Sequence, residues 1–484
     1  MELSEYARYD GIGLRRLIEA GEVTAAEVEA VARRAIEGAN AAVNGLAAPP
    51  FDTALTHDGD GPLGGVPFLL KDSGPMAAGV EFCVGSRGLD GVRARHDHDL
   101  MRRFRAAGLA ALGRTTVPEL GLSFATEPVR YGPTRNPWDL GRGAGGSSGG
   151  AAALVAAGAV PIAHANDSAG STRIPASCCG LVGLKPSRGR TPSGPDSGDP
   201  AFGAVSEFVV TRTLRDAALV LDLVHGYEPG DKYTAPPPSR PYAEELSAIP
   251  RGLRVAVSTE AVSGAPVDAE VAVVTNRVAA VLADLGHEVT EARPEPGWDD
   301  VITAARAECV AIAMPFLTAP RRPDPAKLEA VPRQILAEAE VLTAVELMAM
   351  LDAQNRVSRA VGRFFAGYDL LVTPTIARLP APHGVLSSDR DGYTTDSWLR
   401  TLFGYGPFTV QFNLAGQPAL SLPLGHSENG LPIGVQLAAP YGRDDLLFAV
   451  AARLEEAMPW QHRLPPFTAG AGDASATGRP DRRG

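Results

Sequence analysis

An alanine-rich apolar segment, residues 151–163, lies between two clusters of glycine and serine. The first cluster is GGSSGG at residues 145–150, and the second is DSAGS at residues 167–171. Glycine beside a hydroxyl group is typical of backbone that approaches another group closely or adopts dihedrals that side chains disfavour. A flexible linker has a similar composition, but so much apolar surface between the clusters must be buried. The stretch therefore predicts a buried helix, and its serines are candidate functional residues.

Short apolar strands alternate with helical patterns along most of the chain. GGVPFLLKDS is a short apolar strand that ends at Lys71, and VPIAHAND, residues 160–167, has the same character. Near the C-terminal end, PALSLPLG and IGVQLAAP flank a turn with Asn429-Gly430, which favours a β-hairpin. This alternation predicts an α/β fold with a largely buried sheet.

The composition is that of a globular protein with a substantial core. Hydrophobic residues make up 45% of the 484 residues and charged residues 21%, and the net charge of −11 argues against a nucleic-acid partner. The first residues lack a secretory signal, and no uninterrupted apolar stretch is long enough to span a membrane. The four cysteines match no disulfide framework or zinc spacing. We therefore expect a cytoplasmic protein with no metal and no membrane partner.

Single motifs assign the first glycine–serine cluster to different sites. Residues 141–146 have the glycine spacing of a phosphate loop, but Ser147 stands where that motif requires lysine. The G-x-S-x-G pattern of a nucleophile elbow matches around Ser148, but the preceding WDLGRGAG does not resemble a strand. A helix cap accounts for Ser147 or Ser148 but leaves Ser171 unexplained.

The combination of motifs resembles the amidase signature family. Lys71 at a strand end is followed by GGSSGG and then by a D-x-x-G-S-x-R-I-P run, whose Ser171 lies 24 residues after Ser147. TRNPWDLGR, GLKPSRGR, NLAGQPALSLP and GLPIGVQ resemble family blocks in family order. The resemblance covers roughly residues 5–230 and 365–460. TEPVRYGPTRNPWDLGR and AHANDSAGSTRIPAS are most similar to the 6-aminohexanoate cyclic dimer hydrolase branch.

The resemblance implies a single amidase domain over residues 1–466. Its fold is expected to be an α/β/α arrangement, with a central mixed, mostly parallel, twisted sheet covered by helices on both faces. Residues 231–364, which begin with a proline-rich connector, are expected to form a variable insertion in the substrate region. Residues 467–484 carry no apolar pattern and are expected to be disordered.

The resemblance also implies a catalytic triad of Lys71, Ser147 and Ser171. Ser171 is the expected nucleophile, and Ser147 the bridging serine, held by a cis peptide bond to Gly146. A serine hydroxyl needs an adjacent base, and Lys71 can serve as one only when neutral, which burial favours. Ser147 is expected to carry protons between Ser171 and Lys71. The implied reaction is hydrolysis of the C–N bond of a linear or cyclic carboxamide through an acyl-enzyme, with no cofactor.

Further candidate residues surround this triad. Backbone N–H groups of the second cluster are expected to form the oxyanion hole, from Ser168, Ala169, Gly170 and Ser171. Four positions are expected to contact substrate: Leu122, Gly146, Ser148 and Cys309. For two of these, other roles stay open, since Ser148 fits a helix cap equally well and Cys309 is more typical of a buried core thiol. Asp167 and Arg173 are expected to brace the loop as a structural pair.

The expected partner is a small-molecule amide, and a homodimer is possible. Little charge flanks the motifs, with Glu127 the expected exception, so we expect uncharged amides with an apolar acyl part to be preferred. Two other activities stay open: an amidotransferase subunit that supplies ammonia for aminoacyl-tRNA, and a biosynthetic amidase that transfers the acyl group. The acidic charge argues against the first.

Overall fold

The computed structural model describes residues 1–73, 77–89 and 92–469. Its strands alternate with helices through most of this part of the chain, as the apolar pattern predicts. The strands are β1 (Val66–Lys71), β2 (Leu109–Thr115), β3 (Arg135–Asn136), β4 (Asp139–Gly143), β5 (Ile162–Asp167), β6 (Val182–Lys185), β7 (Ser206–Thr211), β8 (Arg254–Val257), β9 (Glu288–Glu291), β10 (Leu370–Pro374), β11 (Ala419–His426) and β12 (Pro432–Ala438).

The α-helices range from single turns to helices of about twenty residues. They are α1 (Leu3–Tyr6), α2 (Gly11–Glu19), α3 (Ala25–Val43), α4 (Asp99–Ala107), α5 (Gly149–Ala156), α6 (Arg173–Cys179), α7 (Leu214–Val224), α8 (Tyr242–Glu245), α9 (Ala269–Asp284), α10 (Trp298–Leu317), α11 (Ala330–Glu340), α12 (Ala344–Phe364), α13 (Thr395–Tyr405), α14 (Val410–Ala415) and α15 (Asp444–Ala457). Within the described residues, no helix is both long and apolar enough to cross a bilayer.

Ten of the strands form one mixed sheet in the order β2-β1-β5-β7-β6-β11-β12-β10-β8-β9. Parallel pairing joins β2, β1 and β5 at one end and β10, β8 and β9 at the other. The strands between β5 and β10 pair antiparallel. The predicted mixed sheet is therefore confirmed, with a larger antiparallel share than expected, because both β7 and the C-terminal hairpin pair antiparallel in its middle.

Buried side chains on successive strand positions pack into two different cores. In β1, Leu69 belongs to one apolar cluster, whereas Phe68 and Leu70 belong to another. Successive side chains of a strand point to opposite faces of the sheet, so each face carries its own core. Helices α3, α5 and α10 contribute to the first cluster and α4, α7 and α15 to the second. This is the predicted α/β/α layering.

The segment expected to be a variable insertion contributes to the main sheet. Its strands β8 and β9 pair with each other, β8 also pairs with β10, and α10 to α12 follow β9 in the chain. The predicted hairpin is confirmed as β11 and β12. In the tail that is expected to be disordered, the N–H of Ala469 donates to the carbonyl oxygen of Ala157 at 2.8 Å. Residues 470–484 lie outside the described part.

Candidate active site

The predicted catalytic residues meet at one edge of the sheet. Strands β1 and β5 are parallel neighbours, so their carboxyl ends lie at the same edge. Lys71 is the last residue of β1, and the loop after β5 carries Ser171 immediately before α6. Helix α5 begins just after Ser147, and the N–H of Ser148 donates to the carbonyl oxygen of Ser171 at 3.2 Å. The topology therefore brings both glycine–serine clusters to Lys71.

Lys71 and Ser147 are in direct contact. The Lys71 Nζ donates to the Ser147 Oγ at 2.8 Å and also to the Oδ1 of Asn166. Lys71 is fully buried, and Ser147 and Ser171 are each 3% exposed. Within the described residues, no hydrogen bond joins the Ser171 Oγ to the Ser147 Oγ in this structure. Such catalytic hydrogen bonds often tighten only when substrate is bound.

The glycines around the first serine pair permit close backbone contacts. A Cβ on Gly146 would lie 2.7 Å from the carbonyl oxygen of Ser123, and one on Gly150 would lie 2.4 Å from the Oγ1 of Thr116. The peptide bond between Gly146 and Ser147 is cis, as the family resemblance predicts. Doubled glycine is thus explained by packing of the chain that holds Ser147.

Burial governs the charge of Lys71. Removal from water lowers the pKa of its ammonium group to about 7, although the carboxylates of Glu207 and Asp167 oppose this shift. Near pH 7 a substantial fraction of Lys71 is therefore neutral and able to accept a proton. This is the state that the predicted role requires.

Three further residues hold Lys71 in place, and none of them is among the site residues predicted from the sequence. Asn166 accepts from Lys71 and donates through its Nδ2 to Glu207 at 3.2 Å. His164 lies 2.8 Å from Glu207 through its Nε2 and accepts from the backbone N–H of Lys71 at 3.3 Å. The period of two between His164 and Asn166 in β5, which puts both side chains on one face, is the signal that could have identified these two residues.

A buried ion pair braces the loop that carries Ser171. The Arg173 guanidinium contacts the Asp167 carboxylate at 2.8 and 2.9 Å, as predicted, and also reaches Gln436 at 2.7 Å. Burial alone would raise the pKa of Asp167, but Arg173 holds that pKa well below its ordinary value. The N–H of Gly170 donates to Asp167 at 2.8 Å. That donor is already engaged, which leaves the other predicted N–H groups as the candidates for the oxyanion hole.

Two cavities adjoin the triad. The larger, of about 440 Å³, is lined by Ser147, Asn166 and Ser168 and by mostly apolar side chains, which include Phe82, Val84, Leu89, Leu120, Ile312 and Phe316. The smaller has about 30 Å³ of free space and is lined by Ser171, Leu122, Cys309 and Glu308. Leu122 and Cys309 thus line a cavity with Ser171, whereas Gly146 and Ser148 line neither cavity.

Several predicted polar residues lie elsewhere. Ser148 is at the N-terminal cap of α5 but makes no capping hydrogen bond, and its Oγ donates instead to the carbonyl oxygen of Asn166 at 3.3 Å. Glu127, the expected charge at the site, contacts His383 at 3.0 Å and lines neither cavity. The acid that does line a cavity is Glu308, which the sequence interpretation missed.

The nucleophile-elbow alternative finds no support in the positions of the histidines. Residues Asp139–Gly143 do form a strand, contrary to expectation, but it forms a separate two-stranded sheet with β3 and an isolated bridge from Arg142 to Pro382. His426 packs against Trp138, and Trp138 and His462 line a separate cavity of about 710 Å³. None of Lys71, Ser147 and Ser171 lines that cavity.

Known proteins have similar sequences and the same fold. The family model for amidases matches residues 14–448. The 6-aminohexanoate-cyclic-dimer hydrolase of Pseudomonas sp. (strain NK87) is 41% identical over 94% of this chain and 96% of its own length. A solved 6-aminohexanoate cyclic dimer hydrolase superposes with a TM-score of 0.88 at 39% identity, over 95% of this chain and 99% of that one.

More distant relatives have the same architecture. The peptide amidase of Stenotrophomonas maltophilia superposes with a TM-score of 0.77 at 25% identity, over 95% of this chain and 99% of that one. The predicted family, its fold and its class of activity are confirmed by these similarities. The chain belongs to the amidase family.

Proposed function

We propose that this protein hydrolyses the C–N bond of a carboxamide through an acyl-enzyme formed on Ser171. The observation that carries the proposal is the 2.8 Å contact between the buried Lys71 Nζ and the Ser147 Oγ, at the sheet edge that also carries Ser171. Burial lowers the pKa of Lys71 to about 7, which supports its role as the base.

The proposed reaction begins with proton transfer along the triad. Neutral Lys71 accepts the proton of Ser147, which accepts the proton of Ser171 as the Ser171 Oγ attacks the amide carbon. The oxyanion of the tetrahedral intermediate accepts hydrogen bonds from backbone N–H groups of the loop, of which those of Ala169 and Ser171 have no other partner among the described hydrogen bonds. Ser147 then returns the proton to the leaving nitrogen as the C–N bond breaks.

Water completes the cycle by the same route. Its oxygen attacks the acyl carbon, its proton passes through Ser147 to Lys71, and collapse of the second intermediate releases the acid and restores the Ser171 hydroxyl. The nucleophile and its proton relay are thus used twice. No group outside this chain and water is needed to balance the reaction.

The substrate is proposed to be an uncharged amide with an apolar part. The cavity of about 440 Å³ next to Ser147 has mostly apolar walls, with the exposed Arg321 as its charged lining residue. The hydrolase of 41% identity is named for a cyclic dimer, which supports cyclic as well as linear amides. A free carboxylate or ammonium would find no buried counter-charge among the residues that line this cavity.

The proposal is tested by Ser171→Ala, with Ser148→Ala as the matched control. A panel of linear, aryl and cyclic neutral amides and glutamine serves as substrates. Loss of the nucleophile should lower kcat/KM by at least about 10⁴-fold, whereas Ser148→Ala should retain activity within about tenfold, since its hydroxyl contacts only a backbone carbonyl.

The acyl-enzyme is sought by rapid quenching of the wild-type enzyme and mass spectrometry of the peptide that contains Ser171. An acyl adduct on Ser171 is expected. Residual activity of Ser171→Ala above a few per cent would contradict the nucleophile assignment. A tenfold preference for glutamine over every neutral amide would contradict the substrate class.

A further inference from the structure

Glu308 is a buried acid beside the nucleophile that the reaction described above does not use. It lies on α10 with only 5% of its surface exposed. Its side chain lines the same cavity as Ser168, and its Oε2 has no hydrogen-bond partner among the described residues. An unpartnered carboxyl oxygen in so buried a position is costly. Among the described residues, none forms a hydrogen bond with this Oε2 atom, so a bound molecule is the expected source of its partner.

The space in front of Glu308 is the small cavity that contains Ser171. Apolar side chains form most of its wall, and the free space of about 30 Å³ accommodates a group about the size of one water molecule. Ser168 and Ala169 of the loop that carries the nucleophile also line it. A group that enters this cavity would lie next to residues that include both Glu308 and Ser171.

No cation among the described residues lines this cavity to stabilise an ionised Glu308. The titratable and charged groups around it are Asp167 with its partner Arg173, Cys309 next along α10, and Arg306 and Glu338 around a separate cavity with Cys309. From α13 the lining residues are uncharged: Trp398, Leu399, Leu402 and Phe403. The short helix α14, also packed against α10, carries no charged residue.

These surroundings favour the neutral acid. Burial, to which the Asp167 carboxylate adds, raises the pKa of Glu308 to about 8, and the neighbouring Ser168 hydroxyl group only partly opposes this. Near neutral pH the carboxyl group therefore carries its proton and offers an O–H donor. A carboxylic acid kept neutral by an apolar site can donate a hydrogen bond as a carboxylate cannot.

We propose that Glu308 contacts the substrate in its protonated form, donating a hydrogen bond to an acceptor atom on the acyl part of an uncharged amide bound at Ser171. The proposal rests on the amidase function proposed above. It makes Glu308 a substrate-binding residue whose ionisation opposes the reaction, because a carboxylate there would repel the negative charge that develops on the oxyanion.

The activity test compares the pH dependence of kcat/KM for the wild type, Glu308→Gln and Glu308→Leu on one neutral amide. Wild-type kcat/KM should rise to about pH 7 as Lys71 loses its proton, then fall about tenfold per pH unit above about pH 8 as Glu308 ionises. Glutamine keeps an N–H donor and cannot ionise, so its variant should lose the alkaline decline and keep the acid limb. The Glu308→Leu variant should also lose the alkaline decline, and its kcat/KM at pH 7.5 should be about tenfold lower than that of the wild type.

Two results would overturn the proposal. Glu308→Gln with an unchanged alkaline decline would assign that limb to another group. An equal loss at every pH in both variants would mean that Glu308 only supports the loop through Ser168. As a control for the cavity wall, Cys309→Ala should keep the alkaline decline.

A second measurement does not depend on turnover. In the Ser171→Ala protein at pH 7, infrared spectroscopy should find the band of a protonated carboxyl group that disappears when Glu308→Gln is added, and that shifts when the neutral amide binds. A missing band, or one that the amide leaves unchanged, would contradict the proposal. Failure of the proposed amidase function would instead appear as a wild-type protein that turns over no amide of the panel, and failure of its acyl-enzyme mechanism as Ser171→Ala retaining activity, so these failures are distinguishable from that of the Glu308 proposal.

Discussion

Two of the described lysines, Lys71 and Lys185, are fully buried and have similarly lowered pKa values, but the groups around them differ. Burial lowers the pKa of both Lys71 and Lys185 to about 7. The Lys71 Nζ donates to the hydroxyl of Ser147, which lines a cavity. The Lys185 Nζ donates to the backbone carbonyl oxygen of Pro186 at 2.9 Å, which offers no proton to accept. A lowered pKa makes a lysine available as a base. It can take part in a reaction only when a hydroxyl group that can give up its proton lies next to it at a cavity.

The neighbours of the two lysines also differ. For Lys71, carboxylates oppose the effect of burial, whereas for Lys185 the Arg173 guanidinium adds to it. Arg173 is the same residue that braces the loop before Ser171. Lys185 therefore belongs to the support of the active site, and Lys71 to its chemistry.

Removal of each lysine amino group in turn is expected to have the largest and most unequal effects on activity. Lys71→Met should lower kcat/KM by about 10³- to 10⁴-fold because the serine relay loses its base. Lys185→Met should retain activity within about tenfold, since the hydrogen-bond partner of its amino group among the described residues is a backbone carbonyl. Steady-state kinetics on one neutral amide measures both. Comparable losses in the two variants would mean that burial, rather than contact with Ser147, identifies the catalytic lysine.

A smaller effect is expected from the side chain that shares Lys71 with Ser147. Asn166→Leu keeps a similar volume but removes the acceptor of the Lys71 proton and the donor to Glu207. Loss of such a hydrogen bond, about 1–3 kcal/mol, should lower kcat by roughly 10- to 100-fold.

In Asn166→Leu, the acid limb of the pH profile of kcat/KM tests whether Asn166 acts through its hydrogen bond to Lys71 or only by filling space. Wild-type kcat/KM should have its acid limb near pH 7, and the limb should move in Asn166→Leu because a partner of the ammonium group is gone. The same limb with full activity would show that Asn166 is dispensable.

The smallest expected effect is on stability, where the two lysines should behave alike. Each has a folded-state pKa of about 7 against an ordinary value of 10.5. Between these values the unfolded chain binds more protons than the folded one, so the free energy of unfolding rises with pH. Either Lys→Met substitution should reduce that rise by about 1.4 kcal/mol per pH unit.

Urea unfolding of the wild type and both variants between pH 7 and 10 measures this slope. A reduction confined to Lys71→Met would mean that Lys185 is charged when folded. A slope that is unchanged in both variants would contradict the lowered pKa values of both lysines.

Local motifs predicted the reacting residues but not the residues that support them. Lys71, Ser147 and Ser171 stand in short patterns whose chemistry can be interpreted from neighbouring letters. Glu207 reaches the site because β7 pairs with β5, in a register that puts it opposite Asn166. Glu308 reaches it because α10 packs over the nucleophile loop. Both placements depend on long-range pairing and packing, which the spacing of residues along the chain does not encode.

The fold was predictable to a similar degree. Alternating strand and helix patterns predicted the layers, and Asn429-Gly430 predicted the hairpin of β11 and β12. The order of strands was beyond reach, because it depends on which edges meet in space. The short strand Asp139–Gly143 was missed because its glycines and polar residues are typical of loops.

Arg173 has a consequence for the order in which the protein becomes competent during synthesis. Its guanidinium, which holds the loop before Ser171, is itself held by Asn413 at 2.6 Å and Gln436 at 2.7 Å, more than two hundred residues later in the chain. Strand β11 likewise enters the sheet between β6 and β12. A nascent chain that already carries all three triad residues still lacks the side chains that hold its nucleophile loop. The chain is therefore expected to become catalytically competent only after the last part of the domain has been synthesised. An incomplete chain carries the reacting groups but lacks the side chains that hold the nucleophile loop.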